Sequence, residues 1–327
     1  MDHIVTFGEG MLRLAPPAPE RLCRARTLEV QVCGSQGNVA CNLARLGLKA
    51  VFITKLPDNA LGQLLVDHYA GCGVDTSYIR LVRGARLGLN FIEFGAAPRP
   101  SASIYDRRNS AASTIAFGDF DWHAILRGAR LAYTDGILPG LSPSCLAATK
   151  EFLAVARLQG CLTGFDVNYR EHLWPPQQAG AALAELLPLV DILITSPTVS
   201  AILFGLSGPP EEVLRALHEQ FGCRIVAATL RELDGARRGA FRAVALCDGA
   251  IYASRRYEME VVDRFGTGDA WDAGFFYGYL TRQDPQFAVE FAGALCALAH
   301  TIPGDVALVT AAEVEAVISG QALDVRR

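Results

Sequence analysis

Short apolar segments alternate with helical patterns over most of this 327-residue chain, and that alternation constrains the fold more than any single motif. Strand-like runs fall at residues 4–7, 50–54, 131–134, 161–166, 191–195 and 224–229. Between them, helical patterns run over residues 38–46, 61–71, 144–159 and 210–221. Strands joined by helix-length crossovers run parallel, and a parallel sheet is covered on both faces. The expected fold class is therefore α/β, with a mostly parallel central sheet and helices on both faces. Apolar residues make up 51% of the chain, enough for the large core that such layers need.

Two segments break the rhythm. Residues 12–33 and 83–109 contain prolines and period-two stretches such as Leu89-Asn90-Phe91-Ile92-Glu93-Phe94. They read as antiparallel strands of a small lid inserted in a single domain spanning residues 1–327. Further helices are expected at 270–280, 287–300 and 311–318, and the charged, glycine-containing stretch 231–240 reads as a mobile loop.

Several function classes are excluded at this level. The formal net charge of −4 provides no basic field for nucleic acid or an anionic membrane. No apolar run is long enough to span a bilayer, and the opening residues enter a strand pattern with no leader-like region, so a cytoplasmic protein is expected. The nine cysteines are scattered, with no C-x-x-C and no close Cys/His cluster. That pattern favours reduced, buried thiols over a disulfide framework or a zinc site. There is no P-loop signature, and no G-x-G-x-x-G follows the first strand, which argues against a dinucleotide-dependent oxidoreductase.

The chemistry concentrates in Asp263-Arg264-Phe265-Gly266-Thr267-Gly268-Asp269-Ala270-Trp271. A strand-like run enters a glycine-framed turn, and a helix pattern starts from Ala270. Gly266 and Gly268 leave the backbone bare, and the helix start adds free N–H groups and the positive end of its dipole, which suits an anion. Asp269 stands where a carboxylate can take a proton from a hydroxyl beside that anion. An anion cradle with a base is what phosphoryl transfer to an alcohol requires. A helix-capping acid is the competing reading of Asp269 alone; the two glycines and the strand–turn–helix context favour the base.

Three further constellations stand beside it. In Gly34-Ser35-Gln36-Gly37-Asn38, a helix begins near Asn38, whose side chain suits an N-cap and a sugar-binding amide equally. Phe165-Asp166-Val167-Asn168-Tyr169-Arg170 ends on a guanidinium suited to carboxylate or phosphate, or to a plain surface ion pair. Tyr105-Asp106-Arg107-Arg108-Asn109, in the lid, is either a clamp over an anionic substrate or a solvated turn. The polar groups of Asp166, Asn168, Thr195, Ser196, Thr229 and Asp263 fall at strand ends, where open α/β sheets bind ligands. The six histidines share no motif and read as structural or solvated.

Over nearly its whole length the chain resembles the ribokinase-like (PfkB) sugar kinases, in the segment 34–47 and in Asp263-x-x-Gly-x-Gly-Asp269. Within them it resembles the 2-keto-3-deoxygluconate kinases. The similar segments are Val5-Thr6-Phe7-Gly8-Glu9-Gly10-Met11-Leu12-Arg13-Leu14, Leu56-Pro57-Asp58-Asn59-Ala60-Leu61-Gly62, Asp166-Val167-Asn168-Tyr169-Arg170 with Leu173-Trp174, and Thr301-Ile302-Pro303-Gly304-Asp305.

The resemblance implies a three-layer ribokinase-like fold with a β-strand lid, ATP and Mg²⁺ as cofactors, and transfer of the γ-phosphate to a sugar hydroxyl. It implies Asp269 as base and Gly266, Thr267 and Gly268 as the anion hole. It implies substrate contacts from Gly34, Asn38, Asn90, Tyr105, Arg107, Asn168 and Arg170, and nucleotide contacts from Ser196, Thr229 and Arg231 as well as Gly266 and Gly268. A homodimer through the lid is expected, and a monovalent cation beside the anion hole is a further candidate. Four departures stand out: Thr267 replaces the usual alanine, Val199 stands where a metal-placing glutamate is usual, Gln36-Gly37 replaces an acid and a small polar residue, and Asn90 replaces a tyrosine. No metal ligand is assigned. The sugar most favoured is 2-keto-3-deoxygluconate; the alternatives are a neutral sugar (fructose, tagatose or a nucleoside), or a weakly active paralogue that binds sugar or nucleotide.

Overall fold

The computed structural model describes residues 3–96, 98–234 and 238–320, with the side chains of Leu233 and Asp234 outside that description. In chain order the first strands are β1 (His3–Phe7), β2 (Met11–Ala15), β3 (Glu29–Cys33), β4 (Ala50–Ile53), β5 (Lys55–Pro57), β6 (Arg80–Val82), β7 (Gly88–Glu93) and β8 (Ala102–Asp106). They are followed by β9 (Ala129–Asp135), β10 (Leu162–Asp166), β11 (Ile192–Thr195), β12 (Ile225–Asp234), β13 (Arg238–Cys247), β14 (Ala250–Ala253) and β15 (Tyr257–Glu260). The helices are α1 (Ser35–Arg45), α2 (Ala60–Gly71), α3 (Trp122–Ile125), α4 (Ile137–Leu141), α5 (Pro143–Leu158) and α6 (Pro176–Leu186). After them come α7 (Pro197–Phe204), α8 (Pro210–Phe221), α9 (Thr267–Arg282), α10 (Pro285–His300) and α11 (Ala311–Ile318).

The main sheet runs β14-β13-β12-β11-β10-β9-β1-β4, with β15 also pairing β13. Its strands from β4 to β12 are mutually parallel, and the antiparallel β13–β15 close one side. Successive strand residues point to opposite faces. Accordingly Ile4, Leu131, Ile192 and Ile225 join one core, while Val5, Ala132, Leu193 and Val226 join the other. Leu43, Trp271 and Phe291 from α1, α9 and α10 cover the first face. Phe152, Leu183 and Leu214 from α5, α6 and α8 cover the second. The expected mostly parallel sheet between two helical layers is the observed one.

Several helix starts follow from local chemistry. Asn59 caps α2 by accepting from the N–H groups of Leu61 and Gly62, and Ser142 caps α5 with Pro143 behind it. Asp284 does the same for α10 ahead of Pro285. The stretch 231–240, expected as a mobile loop, instead extends a long hairpin: Arg231 pairs with Phe241 and Glu232 with Ala240. Arg231, Glu232 and Arg238 are exposed strand residues, and Arg256 bridges Glu232 and Glu258 there, so charge density alone misled. Residues 235–237 lie outside the described residues.

A second sheet, β3-β2-β7-β8, is drawn from the segments 12–33 and 83–109. Not all of its pairings are antiparallel: two hairpins abut through β2 and β7, which run in the same direction. The register aligns Gln31, Arg13, Asn90 and Tyr105 across one face, and Val30, Leu14, Phe91 and Ile104 across the other.

Eight of the nine cysteines are buried, and none forms a disulfide. The chain does bring three separated ligands together, Cys41, His68 and Cys72, against the expectation of no Cys/His cluster. No described helix is long and apolar enough to cross a membrane.

The helix that carries Asp269 is held by close backbone contact. A Cβ on Gly278 would lie 2.6 Å from the Ala288 Cα, and one on Gly274 2.8 Å from the Ala292 Cα. Forcing α9 away from α10 is overpacking, so Gly278→Val is expected to cost about 1–3 kcal/mol. Chemical denaturation reads this as a lowered midpoint; an unchanged midpoint would contradict the packing.

Candidate active site

A cleft of about 580 Å³ opens beyond the carboxyl ends of the parallel strands, between the main sheet and the polar face of the second sheet. The second sheet contributes Met11, Asn90 and Tyr105 to its wall, joined by Arg107 just after β8. The strand ends and the turn before α9 contribute Asp166, Thr229, Gly266, Gly268 and Asp269.

The glycine turn is built from its first residue. Asp263 Oδ1 accepts from the N–H groups of Arg264 (2.7 Å) and Phe265 (3.0 Å), and Oδ2 accepts from Gly304 N–H (3.0 Å). Gly266 has φ +69°, and a Cβ there would meet the Asp305 carbonyl oxygen at 1.9 Å, so only glycine fits. This left-handed residue is the N-cap of α9, and the helix starts at Thr267 rather than at the expected Ala270. Gly268 lies inside the first turn, where propensity alone disfavours glycine. The N–H groups of Thr267, Gly268 and Asp269 have no intrahelical acceptor at such an end. A Cβ on Gly268 would find only Arg231 Nη2, at 3.5 Å, so this position is open to the cleft. Thr267, the departure from alanine, is fully buried, and its hydroxyl donates to the Arg264 carbonyl at 3.0 Å. It therefore supports the turn from behind and does not narrow the hole.

Asp269 is held on both oxygens. Ser35 Oγ donates to Oδ1 (2.8 Å) and Asn38 Nδ2 donates to Oδ2 (2.7 Å). Both donors sit in the first turn of α1, which begins at Ser35 with Gly34 as N-cap, so Asn38 is not a cap. Gly34 has φ +135°, with the Glu9 carbonyl oxygen 2.2 Å from where a Cβ would sit. The Asn38 Oδ1 atom is buried without a partner, as is Asn90 Oδ1. Asn168, at φ +36°, donates from Nδ2 to Ser35 Oγ (3.1 Å) and Asp135 Oδ2 (2.8 Å). Asp135 Oδ1 in turn accepts from the Gln36 amide and from Ile137 N–H, so Gln36 serves the strand ends.

Burial, the leading cause, raises the Asp269 carboxyl above the usual aspartate range, while Asn38, Ser35, Arg170 and Arg231 oppose it. Burial also lifts Asp135 to about 6, and burial with the Asp135 charge lifts Asp166 to about 7. Asp272, one turn beyond Asp269 and hydrogen-bonded by Tyr133 Oη at 2.7 Å, is raised well above its ordinary value, chiefly by burial.

The arginines divide by partner. Arg107 is buried and paired with Glu9, whose other oxygen accepts from Ser110 Oγ. Arg13 bridges Asp263 and Asp305, each at 2.8 Å. Arg170 and Arg231 reach the cleft, and among the described residues neither has a salt bridge to a carboxylate. Ser196 caps α7 by accepting from Val199 N–H, while Thr229 lies half-buried on β12; both line the cleft, as does Val199. His172 is exposed beside Glu171, away from the cleft lining.

The fold thus gathers Asp269, Gly266, Gly268, Gly34, Asn38, Asn90, Tyr105, Arg107, Asn168, Arg170, Ser196, Thr229 and Arg231 around one cleft, with Thr267 behind it. Sequence reasoning assigned no role to Ser35, Gln36, Asp135, Asp272, Glu9 or Arg13. Two were within reach of spacing: Ser35 lies one turn before Asn38 and Asp272 one turn after Asp269. Arg13 and Glu9 act through contacts remote in sequence.

A buried carboxylate beside open helix-start amides, beneath a small β sheet, is an arrangement suited to phosphoryl transfer to a hydroxyl. The family model for pfkB family carbohydrate kinases matches residues 1–311, and the chain belongs to that family. It is a carbohydrate kinase with the ribokinase-like fold. It is 37% identical over 318 residues to the 2-dehydro-3-deoxygalactonokinase of Haloferax volcanii, covering 97% of each chain. It is 30% identical to the 2-dehydro-3-deoxygluconokinase of Thermoproteus tenax over 93% of this chain and 90% of that one. The crystal structure of 2-dehydro-3-deoxygluconokinase from Thermotoga maritima shares 38% identity at a TM-score of 0.93, over 98% of this chain and 100% of that one.

Since Ser35 and Asn38 favour the charged form of Asp269, Ser35→Ala is expected to move its titration to higher pH. If the ionised carboxylate is the working form, the acidic limb of the kcat profile shifts upward with it. A limb that stays in place or moves to lower pH would separate Asp269 from the rate.

Proposed function

We propose that this kinase transfers the γ-phosphate of ATP, with Mg²⁺, to a hydroxyl of a 2-keto-3-deoxy sugar acid. The observation that carries the reading is the Asp269 carboxylate, held on both oxygens next to the open Gly268 position, with Arg170 and Arg231 in the same cleft. Asp269 takes the hydroxyl proton. The amides of Thr267 and Gly268 receive charge on the transferring group, helped by the dipole of α9. Arg231, over Gly268, shares that task in place of a P-loop lysine.

On the sugar side, the unpartnered Asn38 Oδ1 and Asn90 Oδ1 are acceptors for sugar hydroxyls. Gly34 lets the chain turn close to the substrate, while Tyr105 and Asn168 supply further polar contacts. Arg170 is the group we assign to the substrate carboxylate, since Arg107 already has Glu9 as its counter-charge. The relatives named for 2-keto-3-deoxy sugar acids, at 37% and 30% identity, support that substrate class. On the nucleotide side we place Ser196, Thr229 and Arg231.

The donor set fits magnesium: although α7 offers Val199 and no acid, the cleft lining includes the carboxylates of Asp166, Asp269 and Asp272, the hard oxygen ligands this ion prefers. When bound, Mg²⁺ would neutralise charge between the β- and γ-phosphates.

Asp269→Asn is expected to lower kcat by about 10²–10⁴-fold with the fold retained, the usual scale for a general base. An unchanged kcat would sink the assignment. A sugar panel with and without a carboxylate, read by ADP release, tests the substrate. Arg170→Ala is expected to raise KM for sugar acids by about ten- to a hundredfold, the worth of a charge-assisted pair, with little effect on neutral sugars. Faster turnover of fructose, tagatose or a nucleoside would move the chain to the neutral-sugar kinases; no turnover of any sugar would make it a binding paralogue.

We further propose a homodimer through the second sheet. The support is its outward row, with Val30 53% and Ile104 57% exposed, joined in register by Leu14 and Phe91. An apolar stripe on a sheet face is a typical contact surface. Light scattering should give twice the chain mass, falling to the monomer in Ile104→Asp; a monomeric wild type overturns this.

A further inference from the structure

The strongest unassigned chemistry lies outside the cleft, where Cys41 of α1 meets the last turn of α2. His68 and Cys72 stand four residues apart, on one face of that turn. The ligand atoms of Cys41, His68 and Cys72 all lie within 4.8 Å of one another, and Cys72 Sγ is 4.0 Å from His68 Nε2. In a tetrahedral zinc centre with Zn–S near 2.3 Å and Zn–N near 2.0 Å, neighbouring ligand atoms are about 3.5–3.8 Å apart. The measured sulfur–nitrogen edge, at 4.0 Å, is about half an ångström longer than the roughly 3.5 Å of such a centre, a gap that a small side-chain rotation closes. Cys41 is fully buried and Cys72 9% exposed, while His68 is half-buried and gives the pocket an entry.

We propose that Cys41, His68 and Cys72 form a binding site for a zinc-class divalent cation, separate from the phosphoryl-transfer cleft. Two thiolates and an imidazole are soft and borderline donors, which select zinc over magnesium or calcium. Three protein ligands leave one position for a water molecule, which the half-buried side at His68 admits. Binding replaces the two thiol protons, which pass to solvent. The ion would tie the end of α2 to α1 one turn beyond Asn38, so the site bears on the stiffness of the helix that orients Asp269. It does not depend on which sugar is phosphorylated.

The test uses the full-length, reduced, metal-stripped protein, titrated with zinc against a chromophoric chelator and, separately, with cobalt(II). The expected result is one equivalent of zinc per chain, a thiolate-to-cobalt charge-transfer band, and a zinc-dependent rise in Tm. Cys72→Ser and His68→Ala should each lose the stoichiometric zinc and the Tm rise, and Cys72→Ser should weaken the charge-transfer band. His68, half-buried at the rim, is the variant that keeps the fold if a cysteine variant does not. Wild-type protein that takes up no zinc at equimolar concentration overturns the proposal, as does uptake unchanged in His68→Ala.

Discussion

The structure depends on one buried cation. Arg13 leaves the second sheet and places its guanidinium between Asp263, which builds the glycine turn, and Asp305, whose carbonyl presses on Gly266. Phe265 and Phe94 flank it, with its Cζ 5.1 and 5.8 Å from their ring centres. A buried ion pair pays for much of its own attraction in lost hydration, yet removing one partner strands a charge at a cost of about 3–5 kcal/mol. Asp305 shows the tension: burial lifts its carboxyl to about 7, against the pull of Arg13. The arginine therefore contributes less to net stability than to fixing where the second sheet sits over the glycine turn.

The geometry of the cleft is set mostly by hydrogen bonds among polar side chains. Asp269 is aimed by Ser35, Ser35 is held by Asn168, and Asn168 is anchored on Asp135. Asn168 adopts a positive φ, a conformation that costs a non-glycine residue energy and persists where surrounding contacts impose it. Four aspartates with raised pKa values, Asp166, Asp269, Asp272 and Asp305, line the cleft. Each neighbouring negative charge opposes the others, so an approaching cation finds a field already set for it.

Much of this was legible in the sequence where the signals are local. Period and punctuation located the parallel strands, and the paired glycines marked the turn before Asp269. What remained hidden is tertiary. Glycine inside the first turn of α9 contradicts propensity, so the helix seemed to start at Ala270; Gly266 in a left-handed conformation is what admits Thr267 to the helix. Asn38 looked as much like a cap as a ligand, because only the fold shows Asp269 opposite its amide. The threonine that departs from the usual alanine is accommodated by the fold, since its hydroxyl finds the Arg264 carbonyl. Arg13 and Asp263 lie far apart along the chain, as do Cys41 and the His68–Cys72 pair, so helical spacing reaches the pair but not its third member.

The second sheet carries two messages in alternate letters. Gln31, Arg13, Asn90 and Tyr105 look inward across its four strands, and Val30, Leu14, Phe91 and Ile104 look outward. Substitutions on one face leave the other untouched, so this wall of the cleft and the outer surface can drift independently over evolutionary time. An insertion or deletion of a single residue in any of these strands has no such freedom. It would turn that strand's inward letters out and its outward letters in, exchanging the two texts at once.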